Sequence, residues 1–280
     1  MSGLILRLAR LSLYVVWTLP LMAVQLALVV LGAPAAVRLP MIYHRVCCRI
    51  LGFRLDVRGH VSDRHPTLFV VNHVSYADIT LLGSVLPASF VAKTEVAGWP
   101  FFGWLAKLQR TVFVDRRVRS TAAQKGEMAS RLGAGDNLIL FPEGTSGDGN
   151  RVLAFKSALF SVAEPVGARG VAVQPVSIAY VKLDGMPLAR MDRAQVAWYG
   201  DMDLAPHMWN LLGLGRITVV LEFHPVVTLA EFGSRKALAE HCQRIVAAGM
   251  AAALSGRLPP RPPPVAAGEP AGGAVAGVST

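Results

Sequence analysis

From Leu11 to Val37 the chain runs for 27 residues without a formal charge, between Arg10 and Arg38. As one helix, such a stretch would be about 40 Å long, more than the roughly 30 Å hydrocarbon core of a bilayer. Pro20, Gly32 and Pro34 interrupt it, so the pattern predicts either a kinked span or a re-entrant hairpin. Arg7 and Arg10 precede the run and Ala33-Pro34-Ala35 imitates a cleavage site, as in a secretory leader. The apolar region is, however, about twice as long as such leaders carry, which favours an anchor that is kept. Next, Met41–Leu51 sets Ile42, Val46 and Ile50 at four-residue spacing beside Arg45 and Arg49. That fits a basic amphipathic helix on a bilayer surface, and equally a helix packed on a globular domain.

Beyond Phe53 the pattern changes to short apolar runs separated by turns. Strands are predicted at Phe53–Arg58, Thr67–Asn72, Ser89–Ala92, Thr111–Val114, Asn137–Phe141, Ala172–Tyr180, Gln195–Tyr199 and Ile217–Phe223. Helical periodicity falls between several of them, at Asp78–Val85, Thr121–Leu132 and Lys156–Glu164, and finally at Ser234–Ala253. Strands alternating with helices predict an α/β fold, a mixed, partly parallel sheet flanked by helices. Three regions follow: an N-terminal membrane-anchoring helical segment over 1–52, an α/β domain over 53–256, and a Pro/Gly/Ala-rich tail over 257–280 that reads as disordered.

Composition sharpens the membrane reading. The 280 residues are 53% hydrophobic and only 16% charged, yet 28 Lys+Arg against 18 Asp+Glu leave a net charge of +10. There is too much apolar surface for a disordered chain, and a single long uncharged stretch excludes a polytopic transporter. The positive balance suits an anionic membrane face or an acidic carrier protein. Nucleic acid is a poor match, because Arg and Lys are dispersed and no nucleic-acid-binding motif occurs. Two basic residues precede the apolar stretch and five (Arg38, Arg45, Arg49, Arg54, Arg58) closely follow it, which, if the stretch spans, places the bulk of the chain on the cytoplasmic side of the membrane. Cys47, Cys48 and Cys242 form neither a disulfide framework nor a metal spacing, and fit reduced cytosolic thiols.

Three short constellations carry candidate chemistry. The first, Asn72-His73-Val74-Ser75-Tyr76-Ala77-Asp78, follows an apolar strand. Five residues apart, His73 and Asp78 would point about 140° apart on one helix, but can pair if His73 lies on the turn before it. Ser75 is a natural N-cap, which would put Asp78 at the third helical position and give it a capping role as well. A neutral imidazole can take a proton from a hydroxyl, and a carboxylate stabilises the imidazolium that forms. No GxSxG elbow supplies a protein nucleophile, so the substrate would bring its own hydroxyl. The second constellation, Arg110-Thr111-Val112-Phe113-Val114-Asp115-Arg116-Arg117, runs an apolar strand into a basic turn that is either an anion grip or a solvated edge. The third, Phe141-Pro142-Glu143-Gly144-Thr145-Ser146, places Glu143 on a turn where Gly144 allows a positive φ. Histidine spacing fits no metal site and no nucleotide-binding glycine loop occurs, so neither a metal nor a cofactor is expected.

Taken together, NHVSYAD, RTVFVDR and FPEGTS, followed by Val173-Gln174-Pro175-Val176-Ser177-Ile178, resemble the four ordered blocks of the glycerolipid acyltransferase family. Val91-Ala92-Lys93-Thr94-Glu95, Pro100 and Gly103 are similar too, and the likeness extends over roughly 51–227. The resemblance implies a membrane-associated O-acyltransferase with an α/β acyltransferase domain. His73 would be its general base and Asp78 the orienting partner, while Arg116, Glu143, Gly144 and Thr145 would hold the acceptor. The acceptor would be a lysolipid and the donor a fatty acyl thioester on acyl carrier protein or coenzyme A. Many relatives carry Arg after FPEGT where this chain has Ser146, and its next Arg is Arg151. That departure weakens the match to a phosphate-bearing acceptor such as 1-acylglycerol-3-phosphate. Trp198-Tyr199-Gly200-Asp201-Met202 and Pro206-His207-Met208-Trp209 resemble a subgroup that acylates lyso-ornithine lipid, although core packing would also explain such aromatics. The reading from another class is a membrane-anchored lipid-binding or lipid-transfer protein, which would have no use for the His73/Asp78 pair.

Overall fold

The computed structural model describes residues 2–114, 121–164 and 170–258. Among them eight strands form one sheet: β1 (Phe53–Gly59), β2 (Thr67–Val71), β3 (Ser89–Lys93), β4 (Val112–Val114), β5 (Leu138–Leu140), β6 (Ala172–Leu183), β7 (Met186–Pro187) and β8 (Ile217–Phe223). Their order is β1-β8-β6-β2-β5-β3-β4, with β7 pairing back on β6. The run β6-β2-β5-β3-β4 is parallel throughout, while β8 and β7 pair antiparallel with β6. The sheet is therefore mixed, as the alternation of strands and helices predicts.

Side-chain alternation explains why the sheet is covered on both faces. Along β2, Phe69 and Val71 point into one core and Leu68 and Val70 into the other, all essentially without exposed surface. The Phe69 side packs under α2 (Ala35–Leu51), α3 (Ala77–Gly83) and α6 (Leu204–Leu212). The Leu68 side packs under α5 (Thr121–Gly133) and α8 (Arg235–Leu254), together with a 3₁₀ segment at Ser157–Ala163. Two shorter helices, α4 (Phe102–Leu108) and α7 (Leu229–Phe232), complete the set.

The apolar N-terminus resolves as a helical hairpin. α1 (Ser2–Val30) runs through Pro20 without ending, and a turn at 31–34 leads into α2. Trp17 Nε1 donates to Tyr43 O (3.3 Å) and Gln25 Nε2 to Ala36 O (2.8 Å), which sets the two helices antiparallel. Both ends of α1 are fastened to the α/β domain. Arg10 donates to the carbonyls of Leu212 (3.1 Å) and Leu214 (2.6 Å), and Gln25 Nε2 also to Leu108 O (2.9 Å). The helix thus lies along the domain rather than projecting from it. Gly52 ends α2 at φ +82°, and a Cβ there would run into the Arg10 guanidinium. Of the two readings for Met41–Leu51, packing is realised: Ala36, His44, Cys47 and Cys48 of α2 are buried, and the three cysteines are free thiols.

Two expected elements differ. Gln195–Tyr199 is not a strand: a 3₁₀ turn at Asp192–Gln195 leads into a loop. Its apolar Val196 and Ala197 are buried against the core, and Trp198 N donates to Val74 O (3.0 Å). The run is hydrophobic because it plugs the core, which periodicity cannot distinguish from a strand. Lys156–Glu164 forms only 3₁₀ turns rather than an α-helix. The tail expected over 257–280 lies outside the described residues from 259 onward.

Two histidines are buried in the packed layers. His44 meets Gln109 Oε1 through Nε2 (2.9 Å), and His224 meets Ser177 Oγ (2.6 Å). Burial pushes both down to about 4. In the unfolded chain each binds a proton near the ordinary value of about 6.5, so protons favour unfolding as pH falls from there towards 4. Thermal melts are expected to give a lower Tm at pH 5 than at pH 7, and His44→Gln to narrow that difference.

Candidate active site

Strand β2 ends where its ladder is replaced by a side chain. The fully buried Asn72 donates from Nδ2 to Ile178 O (3.0 Å) and accepts Ile178 N–H on Oδ1 (2.8 Å), imitating one more residue pair with β6. The chain is then free to turn through 73–76 into α3. His73 sits on that turn and Asp78 in the first turn of the helix, which the five-residue spacing requires if the two are to meet. His73 Nδ1 lies 2.8 Å from Asp78 Oδ2, with the histidine side chain 19% exposed and the carboxylate 0%.

The same carboxylate also caps the turn. Oδ2 accepts the backbone N–H groups of Val74 (2.7 Å) and Ser75 (3.0 Å), while Oδ1 accepts the Tyr180 hydroxyl from β6 (2.7 Å). The expected capping role and the expected pairing are thus carried by one side chain. The N-cap position of α3 falls on Tyr76, one residue after the expected Ser75. Burial, then the Asp78 charge, raises Tyr180 well above its ordinary pKa, so it remains a hydroxyl donor. With Asp78 on Nδ1, a neutral His73 carries its proton there and presents the lone pair of Nε2. The ring is held flat against Phe141, with centroids 4.1 Å apart and planes 20° apart.

Sheet register brings the third constellation to the first. β2 and β5 are parallel, with Leu68, Phe69 and Val70 opposite Leu138, Ile139 and Leu140. Continuing that offset of 70 sets residue 143 beside residue 73. Glu143 Oε1 indeed accepts His73 N–H (3.0 Å), and Gly147 N–H donates to His73 O (2.9 Å), so the loop grips the histidine's backbone from both sides. Gly144 takes φ +72° and its N–H closes the turn on Phe141 O (3.0 Å). Thr145 is exposed at the tip, beside a half-buried Ser146. Glu143 is buried, and this burial pushes its carboxyl up to about 8 against the pull of the His73 and Leu153 backbone N–H groups. Its Oε2 has no hydrogen-bond partner among the described residues.

The second constellation reaches the same edge of the sheet, because β4 runs parallel to β3 and ends at Val114. Arg116 itself lies outside the described residues. Three contributors were not legible as site residues: Asn72 as a ladder extension, Tyr180 as the second support of Asp78, and Trp198, which anchors Val74. Each acts across more than 100 residues of sequence, and a tyrosine within a strand carries no local signal of such a role. The arrangement offers a fixed, partly exposed imidazole nitrogen backed by a buried carboxylate, which is suited to moving a proton to and from a hydroxyl.

The description "Acyltransferase" belongs to the family model that matches residues 54–179, a span that contains His73, Asp78 and Glu143. Over 226 residues the chain is 47% identical to a lyso-ornithine lipid O-acyltransferase of Brucella abortus, covering 79% of this chain and 84% of that protein. It is 40% identical over 264 residues to a protein of the same name from Rhizobium meliloti, covering 92% and 89%. A 1-acyl-sn-glycerol-3-phosphate acyltransferase of Neisseria gonorrhoeae is 31% identical over 196 residues, covering 69% and 73%. In fold the chain is similar to the crystal structure of a 1-acyl-sn-glycerophosphate acyltransferase from Thermotoga maritima, with a TM-score of 0.66 at 23% identity over 90% of this chain and 97% of that one. The chain belongs to the glycerolipid acyltransferase family. It is an acyltransferase.

Glu143 provides a test of this geometry. Glu143→Gln keeps an oxygen for His73 N–H, whereas Glu143→Ala leaves that donor unpaired and is expected to cost about 1–3 kcal/mol in denaturant unfolding. A carboxyl titrating higher in the folded than in the unfolded state binds more protons when folded, so its stabilisation is complete at acid pH and is lost as pH rises through about 8. Stability should therefore fall less between about pH 4.5 and about 8 in Glu143→Gln than in the parent chain.

Proposed function

We propose that the chain moves a fatty acyl group from an acyl thioester, on acyl carrier protein or coenzyme A, to the free hydroxyl of a lysolipid. Lyso-ornithine lipid is the favoured acceptor, since the two relatives of that name described above are 40–47% identical to this chain against 31% for the 1-acyl-sn-glycerol-3-phosphate enzyme. The observation that carries the reading is the 2.8 Å contact between His73 Nδ1 and the fully buried Asp78.

In this mechanism His73 Nε2 takes the proton of the acceptor hydroxyl as its oxygen attacks the thioester carbonyl. Asp78 stabilises the imidazolium so formed, and Tyr180 with the Val74 and Ser75 N–H groups keeps that carboxylate in place. Collapse of the tetrahedral intermediate forms the ester, breaks the C–S bond and expels the thiolate, which takes the proton back from His73. Glu143 acts as a positioning residue that fixes the His73 backbone, while Arg116, Gly144 and Thr145 belong to the acceptor side. Neither a metal nor a cofactor takes part in these steps.

The reaction would take place at the cytoplasmic face of the inner membrane, with the N-terminal hairpin as the anchor. Gly3–Val30 has a mean hydropathy of 2.1, and Leu4, Ile5, Leu8, Leu13, Val16 and Leu19 of α1 are all at least half exposed. Because both ends of α1 are tied to the domain, it would sink its exposed face into one leaflet rather than cross the bilayer.

His73→Ala is expected to lower kcat by about 10²–10⁴-fold, the range for losing a general base, in a protein that still folds and melts cooperatively. Purified protein supplied with a labelled acyl donor and a panel of lysolipids measures this, and near-normal turnover by the variant would overturn the mechanism. Introducing two charges on the apolar face, Leu8→Glu with Val16→Glu, should shift the protein from the vesicle-bound to the free fraction in a flotation assay.

A further inference from the structure

Beyond the catalytic turn, a cavity of about 660 Å³ opens between the start of α1, the 3₁₀ turn at Asp192–Gln195 and α6. That volume lies within the range of small-ligand sites. Its walls carry Arg7, Gln195, Asp203, His207 and Asn210. Arg7 lies 5.6 Å over the Trp209 ring and against Gly213, where a Cβ would collide with its guanidinium. Its Nε is buried without a hydrogen-bond partner, and it forms no ion pair among the described residues. Asp203, exposed at the start of α6, makes neither an ion pair nor a side-chain capping bond among the described residues. One cavity therefore holds a cation and an anion that have no ion-pair partner among the described residues and are more than 4 Å apart, the ion-pair limit. The same cavity adjoins the catalytic turn: His207 Nδ1 meets the Tyr76 hydroxyl (3.1 Å), and Tyr76 packs edge-on against Trp198, whose N–H holds Val74 O.

We propose that this cavity binds a zwitterionic amino-acid headgroup of the acceptor, with Arg7 on its carboxylate and Asp203 on its ammonium group. The inference rests on the lysolipid reading above and sharpens it into a choice of acceptor. An ornithine headgroup presents one group of each sign, so both orphaned charges are satisfied at once. A glycerol phosphate headgroup offers only negative charge and would leave Asp203 facing an anion, which is discrimination by repulsion. The chemistry is shared by zwitterionic phospholipids of the bilayer, so the test must separate substrate from surrounding lipid.

Full-length wild type, Asp203→Asn and Arg7→Gln are compared with lyso-ornithine lipid and lysophosphatidate as acceptors, in phosphatidylglycerol vesicles free of zwitterionic lipid. Each variant is expected to raise the KM for lyso-ornithine lipid about tenfold or more with kcat within about threefold, since each removes a charge-assisted contact. Asp203→Asn should also move the kcat/KM preference towards lysophosphatidate. An unchanged KM in Asp203→Asn overturns the proposal, whatever happens to Arg7→Gln, and so does an effect seen only on vesicle binding. Wild type that acylates lysophosphatidate but not lyso-ornithine lipid also overturns it, while leaving the transferase reading intact. Equilibrium binding of lyso-ornithine lipid to the His73→Ala protein, weakened about tenfold by adding Asp203→Asn, reads the site without turnover. Its absence overturns the headgroup site separately from any failure of catalysis.

Discussion

At the carboxyl end of β2 a carboxylate with no exposed surface, Asp78, accepts from His73, from two backbone N–H groups of its own turn and from Tyr180. Burying such a group without partners is among the costliest changes a fold can make, and removing one partner leaves the rest of the penalty in place. The turn at 73–76, the start of α3 and the central strand β6 are therefore held in mutual position by one side chain. Rigidity of the imidazole follows from that constraint, reinforced by Phe141 against its face. No mobile element is required to assemble the dyad.

Parallel pairing extends this local constraint to the whole site. Because β2 and β5 run side by side in the same direction, their carboxyl ends open on the same edge. His73 and Glu143 thereby become neighbours although 70 residues separate them. This follows the general tendency of open α/β sheets to bind ligands at the carboxyl ends of their strands. The reversal at β6 and β8 closes the opposite half of the sheet, and Tyr180 on β6 then reaches Asp78 from the other side.

Charge placement around this frame divides into structural and free groups. Arg10 is spent on the carbonyls that follow α6, and Arg110 and Arg131 share Asp136. These residues account for part of the +10 balance without any partner outside the chain. Arg7 and Asp203 are not accounted for in this way, although they border one cavity. An apolar helix fastened at both ends would bring that cavity and the dyad towards the same lipid surface, where a lysolipid could offer headgroup and hydroxyl to neighbouring sites.

Much of the architecture was legible in local pattern, because apolar alternation and turn chemistry act over a few residues. The strand at Ile217–Phe223 has the bounds its apolar run predicts, and α8 (Arg235–Leu254) lies within one residue of the helix expected at Ser234–Ala253. The five-residue spacing of His73 and Asp78 already required a turn-to-helix geometry. Other features depended on contacts that no window of sequence contains. Val196 and Ala197 looked like a strand and are a core plug, and the carbonyls that fasten Arg10 and Gln25 of α1 to the domain lie about 80 to 200 residues further along the chain. What the sequence by itself determined was the elements, the blocks and the pairing that one turn allows. Only the tertiary structure decided which turns meet, what supports Asp78 and where α1 lies, because register and buried hydrogen bonding act between segments far apart in the chain.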